Sequence, residues 1–439
     1  MFNCMRKLLI AGIVILMIAI VTATVALFLF PYQPNQPSQT DDTGSTQQGI
    51  QEVVNANNQF AFDLYSELYK SEQGNVFYSP YSISAALAMT YEGAKGQTAD
   101  EMKSVFHFPE SKILRPNFAA VYNEINKQDK NYKLSTGNAL WVQKDYPFLE
   151  DYIKRVENYY GGKAAGLDFI QETEKSRQTI NTFIEEQTND KIKDLIAPGV
   201  LNPMTRMVLT NAIYFKGTWE WGFDKSDTRD MDFKITKDNI IKTPMMYMNN
   251  DKASFNYADI GELQILELPY KDNEISMLIL LPKQGVDYDM ETGEEIILDY
   301  TLEDIELTTE NLNSWKSEMQ DDMGRLDSIY LPKFEFDTKY GLNQVLTQLG
   351  MPTAFNEMKA DFSGMTQKEQ LFISNVIHQA YVKVDEKGTE AAAATAVVMK
   401  ASGIGSSNIF KADHPFIFII QEKETGNVLF MGRMIDPTQ

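Results

Sequence analysis

A chain of 439 residues with 43% hydrophobic and 11% aromatic residues can bury a large core, and a charged fraction of 23% suits a folded surface, which argues against global disorder. The 61 acidic against 40 basic residues leave a formal charge of −21, a surface that repels phosphate backbones and argues against nucleic-acid partners. Cys4 stands alone, so no intrachain disulfide forms and the fold must rest on its core.

In chain order, residues 1–7 end in Arg6 and Lys7 and read as a short cytoplasmic N-terminus. Leu8 to Phe30 is an uninterrupted apolar or small-residue run. At about 1.5 Å per residue it can cross a hydrocarbon layer of roughly 30 Å, so residues 8–30 read as a transmembrane signal anchor. Cleavage near Thr22 to Ala26 would instead make it a signal peptide and release the product. Either reading places the main domain outside the cytoplasm, anchored with its N-terminus inside or secreted. Residues 31–50 hold Pro31, Pro34 and Pro37 among polar residues, the composition of a flexible linker. Residues 51–439 then read as one domain.

Within it, Val53, Ala56, Phe60, Leu64 and Leu68 recur at helical spacing. Ser82 to Tyr91 is an apolar helix candidate behind Ser79-Pro80, a pair suited to a helix start. Thr173 to Ile196 places Ile180, Phe183 and Ile184 on one face before a polar corner at Gln187 to Asp190. Strands are predicted at Arg206 to Phe215, Leu263 to Leu268, Ile275 to Leu281, Gln370 to Val384, Phe416 to Gln421 and Val428 to Met434. The mixed order without regular βαβ alternation predicts an α+β fold. Lys283 to Asn313 is long and acidic and reads as a surface excursion.

Catalytic patterns are missing. The chain has three histidines, His107, His378 and His414, and lacks zinc-helix, paired-cysteine, hydrolase-elbow and phosphate-loop motifs. No enzyme, metal or cofactor is expected. His378 shares a strand face with Val376, Ala380, Val382 and Val384, which predicts a buried, hydrogen-bonded core histidine.

One segment stands apart. Glu386 to Ser407 is small, polar or weakly apolar, and no proline occurs from Thr353 to His414. A rigid exposed loop would be pinned by prolines or disulfides, so the composition points to a loop that changes conformation. As a strand, Thr389, Ala391, Ala393, Thr395 and Val397 would share one face, with Glu390, Ala392, Ala394 and Ala396 on the other. Gly388 is the natural pivot. By propensity alone, an alanine-rich helix or a floppy linker is an equal alternative.

Glu386-Lys387-Gly388-Thr389-Glu390-Ala391-Ala392-Ala393-Ala394-Thr395 resembles the reactive-loop hinge of the serpin family. The resemblance extends over 51–439 through Asn75 to Ser84, Gly93-Ala94-Lys95-Gly96, Thr210 to Trp219, Asp413-His414-Pro415-Phe416 and Phe430-Met431-Gly432-Arg433. It implies the serpin fold, with three β-sheets, about nine helices and an exposed reactive-centre loop. It also implies suicide inhibition of a serine protease, or a cysteine protease, by a monomer: the target forms an acyl-enzyme with the loop, and the cut loop inserts into the main sheet. A serpin-fold binding protein or chaperone that does not inhibit is the alternative.

By the same resemblance, Ser79, Ser82, Asn211 and His378 form the polar cluster where strands part. Trp219, Lys333 and Glu386 mark the point where insertion starts, with a Lys333–Glu386 ion pair. Counting from Gly388 puts the scissile bond at Ser402–Gly403, and counting back from Pro415 spreads it between Ala401 and Ile404. A small residue there suits an elastase- or subtilisin-like target, whereas Lys400 would suit a trypsin-like one. Lys387 departs from the acid often found at its hinge position.

Overall fold

The computed structural model describes residues 39–127, 130–146, 148–249, 255–288, 295–322, 326–367, 371–389 and 408–439. The helix Gln47–Ser71 begins at Thr46, whose side chain accepts a hydrogen bond from the Gly49 amide, and it buries Val53, Ala56, Phe60, Leu64 and Leu68 along one stripe. The packed chain starts before the expected boundary at 51: Thr40 is buried, and its hydroxyl donates to the Ala119 carbonyl of the helix Ser111–Ile125.

The helix Pro80–Tyr91 starts where the Ser79-Pro80 pair predicts. Ser79 caps it by accepting from the Ser82 amide at 3.1 Å, and Pro80 sits at the first turn, where its missing N–H leaves no bond unmade. Every residue from Pro80 to Thr90 is buried, because the helix lies between the strands Val428–Met434 and Met207–Thr218 of two different sheets. A helix built mainly of apolar and small residues suits an element covered on every side.

The described residues form three large sheets. The six-stranded sheet is antiparallel, in the order Val76–Tyr78, Val428–Met434, Phe416–Glu422, Ile275–Pro282, Leu263–Pro269 and Asn256–Ile260. The continuous apolar runs of its central strands reflect burial of both faces. A four-stranded sheet joins Ile409–Lys411, Ser328–Pro332, Asn239–Asn249 and Arg229–Thr236. The third runs Phe334–Gly341, Asn375–Asp385, Gly388–Thr389, Met207–Thr218, Ala139–Gln143 and Lys163–Leu167, with Tyr132–Thr136 also on Met207–Thr218. Among the described residues there are eight α-helices, so the α+β class holds. The acidic stretch after Lys283 contains a hairpin, Gln284–Tyr288 with Glu295–Asp299, and then the helix Thr309–Asp322.

The expected strand Gln370 to Val384 begins later, at Asn375. Ile373 and Ser374 spend their amides on the carbonyls of Ala354 and Met207 before the ladder starts.

The extracytoplasmic placement, membrane-anchored or secreted, is corrected. Crossing a bilayer takes about 20 consecutive apolar residues in one helix. No helix among the described residues is long and apolar enough. Pro80–Tyr91 is apolar but has only 12 residues, and the 25 residues of Gln47–Ser71 include a polar face. The run 8–30 lies outside the described residues, and the membrane partner is withdrawn with the placement.

Candidate functional site

The third sheet contains a seam. Asn375–Tyr381 pairs in parallel with Val208–Tyr214, so these two strands are direct neighbours over that length. Beyond Tyr381 they separate, and Gly388–Thr389 lies between them, antiparallel to both: Thr389 faces Val384 on one side and Gly217 on the other. One sheet is thus closed along most of the seam and parted at one end by the first two residues of the loop.

At the parted end the expected residues come together. Lys333 Nζ donates to both oxygens of Glu386, at 3.1 and 2.9 Å, and Thr228 Oγ1 donates to Glu386 Oε1 at 2.8 Å. Burial pushes the Glu386 carboxyl up, but the bonds from Lys333, its own amide and Thr228 outweigh that and hold it below its ordinary value. The Trp219 amide donates to the Lys387 carbonyl at 2.8 Å, and its indole Nε1 donates to the Asp385 carbonyl at 3.1 Å. Phe223 N–H holds the Glu386 carbonyl at 2.8 Å. These bonds fix the turn by its backbone, so half-buried Lys387 is tolerated where an acid is common.

Gly388 is required by the turn. Its φ of +149° is one that residues with a Cβ rarely adopt, and an added Cβ would lie 2.1 Å from the Gly217 carbonyl oxygen. Thr389 is 1% exposed, with its hydroxyl 2.6 Å from the Tyr270 hydroxyl. Tyr270 in turn stacks on Trp219, with ring centroids 4.4 Å apart.

In the closed part, Ser79, Ser82, Asn211 and His378 meet as well. His378 and Asn211 are register partners across the seam, and His378 Nδ1–H donates to Asn211 Oδ1 while Nε2 accepts from the Ser79 amide at 3.1 Å. The predicted core histidine is therefore neutral and fully enclosed. Burial pushes its pKa down to about 3, with the Asn211 bond opposing. The two amide hydrogens of Asn211 go to Ser82 Oγ at 2.6 Å and Asn138 Oδ1 at 2.7 Å, while Ser79 Oγ donates to the Leu429 carbonyl. Opening the seam here breaks the His378–Asn211 bond and leaves buried polar groups that need new partners.

The residue-level reading missed Asn138, Thr228, Phe223 and Tyr270. For Asn138 a signal existed: Gly137-Asn138 interrupts the pattern between the strands Tyr132–Thr136 and Ala139–Gln143, both of which pair with Met207–Thr218. Tyr270 comes from the end of a strand in another sheet, and nothing local marks it. The expected hinge residues Glu390 to Thr395 and the loop residues Lys400, Ala401, Ser402, Gly403 and Ile404 lie outside the described residues.

The family model described as Serpin (serine protease inhibitor) matches residues 55–437. A serpin-like protein of Methanosarcina mazei is 42% identical over 394 residues, covering 88% of each chain. Leukocyte elastase inhibitor A of Rattus norvegicus is 39% identical over 390 residues, covering 88% of this chain and all of its own. The crystal structure of Serpin48, a highly specific serpin of the insect Tenebrio molitor, superposes with a TM-score of 0.71 at 31% identity, over 88% of this chain and 98% of that one. With a family match across most of its length and relatives well above 30% identity, the chain belongs to the serpin family.

Proposed function

We propose that this serpin inhibits a serine protease by suicide trapping, with cleavage of the loop followed by its insertion into the seven-stranded sheet. The observation that carries the proposal is the seam: Gly388–Thr389 already occupies a strand position between Asn375–Asp385 and Met207–Thr218, which pair directly with each other over the rest of the seam. A strand continued from Thr389 to Ser402 would run roughly 45 Å at about 3.3 Å per residue. That is comparable to the 12-residue Met207–Thr218 beside it.

In this reading the target's nucleophile attacks the carbonyl of the scissile residue, Ser402 in the Ser402–Gly403 bond, and the acyl linkage travels with the inserting strand. Glu390 to Thr395 form the segment that enters, and the small side chains of Ala391 to Thr395 demand little space. The His378, Asn211, Ser79 and Ser82 cluster is the latch that must exchange partners, and Trp219, Lys333 and Glu386 hold the entry point. Trapping succeeds when insertion outruns deacylation. The small scissile residue favours an elastase- or subtilisin-like target, and the resemblance to a leukocyte elastase inhibitor supports the elastase side.

The test is to mix the protein with elastase- and subtilisin-type proteases. The expected result is a covalent complex that survives denaturing electrophoresis, with Thr389→Arg converting the inhibitor into a substrate because a buried, unpaired charge obstructs entry. Loop cleavage without such a complex across a broad panel of serine and cysteine proteases would overturn the proposal and leave a binding role. Mass spectrometry of the released C-terminal fragment locates the cut.

A further inference from the structure

The rung next to Thr389 is flanked by two lysines. Direct pairing of the seam strands ends at Tyr381 and Tyr214, and Thr389 faces Val384 and Gly217, so Val382, Lys383, Phe215 and Lys216 lie in the parted stretch between. In antiparallel pairing each residue forward on the entering strand is one residue back on both neighbours. Continued from Thr389 in the register already present, the strand sets residue 390 between Lys383 and Lys216 and residue 391 between Val382 and Phe215.

The two rungs match the loop sequence in chemistry. Directly opposed residues share a sheet face. Val382 and Phe215 are buried, and Ala391 is small and apolar; Lys383 and Lys216 are half-buried on the other face, and residue 390 is Glu. The charges along this second rung are arranged for an acid. Glu335 is the register partner of Lys383 and accepts from its Nζ at 2.6 Å. On the far side Lys216 is the register partner of Lys133, and like charges directly opposite each other repel. Lys133 Nζ donates to the neutral Asn189 Oδ1 at 2.9 Å, and Lys216 makes no ion pair among the described residues. Across the sheet the rung therefore runs acid, base, entry position, base, base.

A carboxylate at the entry position, on a strand about 4.8 Å from each neighbour, completes the alternation of charge and offsets the Lys133–Lys216 repulsion. A register slip by one residue would instead turn this acid toward the buried face of Val382 and Phe215. We propose that Lys216 and Lys383 form a receiving site for the Glu390 carboxylate, one that fixes the register of the entering strand and speeds its first step. The proposal rests on the insertion reading above. Glu390, Lys216 and Lys383 are positioning residues in it, since they act on the strand and not on the scissile bond. It also accounts for an acid standing at the head of a run of alanines.

The test offers the full chain a synthetic peptide with the sequence of residues 389–402, or the same peptide carrying Glu390→Gln, and scores entry by the gain in resistance to thermal unfolding over time. The Gln peptide should enter the wild-type protein roughly 3- to 10-fold more slowly, the size of one or two partly exposed ion pairs. The difference should shrink in high salt and vanish in the double variant Lys216→Gln with Lys383→Gln. Lys216→Glu should prefer a Glu390→Lys peptide to the natural one, a reversal that a merely structural role for Lys216 would not produce. Equal entry of the Glu and Gln peptides into the wild-type protein would overturn the receiving site and leave insertion intact. Failure of both peptides to enter the wild-type protein would overturn the insertion reading as well.

Discussion

The hydroxyls of Thr389 and Tyr270 meet at 2.6 Å, and both residues are shut away from solvent. This bond joins the first loop strand to a different sheet and makes the parted end of the seam a seat with its own partner. Tyr270→Phe should destabilise the resting protein by about 1–2 kcal/mol, because it leaves a buried hydroxyl unmatched. In denaturant titrations the double variant Tyr270→Phe with Thr389→Val should lose less than the sum of the two single losses. Strict additivity would mean that the pair is not coupled.

Gly388 makes a second requirement at the same seat. An alanine there meets backbone, not a flexible side-chain tip, with the Gly217 carbonyl oxygen at 2.1 Å and the Thr218 Cα at 2.8 Å. Gly388→Ala should therefore unseat the turn at a penalty of about 1–3 kcal/mol. Trp219 reports this directly, since its amide and indole hold the Lys387 and Asp385 carbonyls. Its emission should shift, and more inhibitor should be needed per protease trapped. An unchanged spectrum would show that the turn accommodates a side chain.

The sequence made much of this site legible because the relevant residues lie in runs with a strong local signature. Ser79-Pro80 fixes a helix start, and the cap that starts the helix also positions Ser82 beside Asn211. Period-two alternation put His378 on a buried face, and it is 0% exposed. The missed residues act through tertiary placement. Tyr270 and Thr228 belong to elements far along the chain from the loop, and only the packing of three sheets brings them to Thr389 and Glu386.

Asn138 is the missed residue with the largest expected effect. Its Oδ1 accepts from both Ser82 Oγ and Asn211 Nδ2, each at 2.7 Å. Asn138→Ala strands donors next to the seam, an expected loss of about 1–3 kcal/mol for a buried unsatisfied group. The variant should melt earlier and take up a synthetic peptide with the sequence of residues 389–402 faster, scored by the gain in resistance to thermal unfolding over time, whereas Asn138→Asp keeps the acceptor and should lie nearer to wild type. Equal peptide uptake by Asn138→Ala and wild type would place Asn138 outside the latch.

His378 should make the closed seam sensitive to acid, and the sign follows from its bonding. Nδ1–H donates to Asn211 and Nε2 accepts from the Ser79 amide, so a second ring proton would point at a donor. Burial holds the folded pKa down at about 3, against 6.5 when exposed. Between these values the unfolded chain binds the proton and the folded chain does not, so stability falls as pH falls, by up to about 1.4 kcal/mol per pH unit. Above about pH 6.5 the residue contributes no slope. His378→Asn, which cannot titrate, should be less stable at neutral pH yet show a flatter profile from about pH 6 to 5, a window above the ordinary carboxylate range. Denaturation midpoints of the two proteins should therefore converge as pH falls through that window; parallel profiles would mean that His378 is not locked in its neutral form.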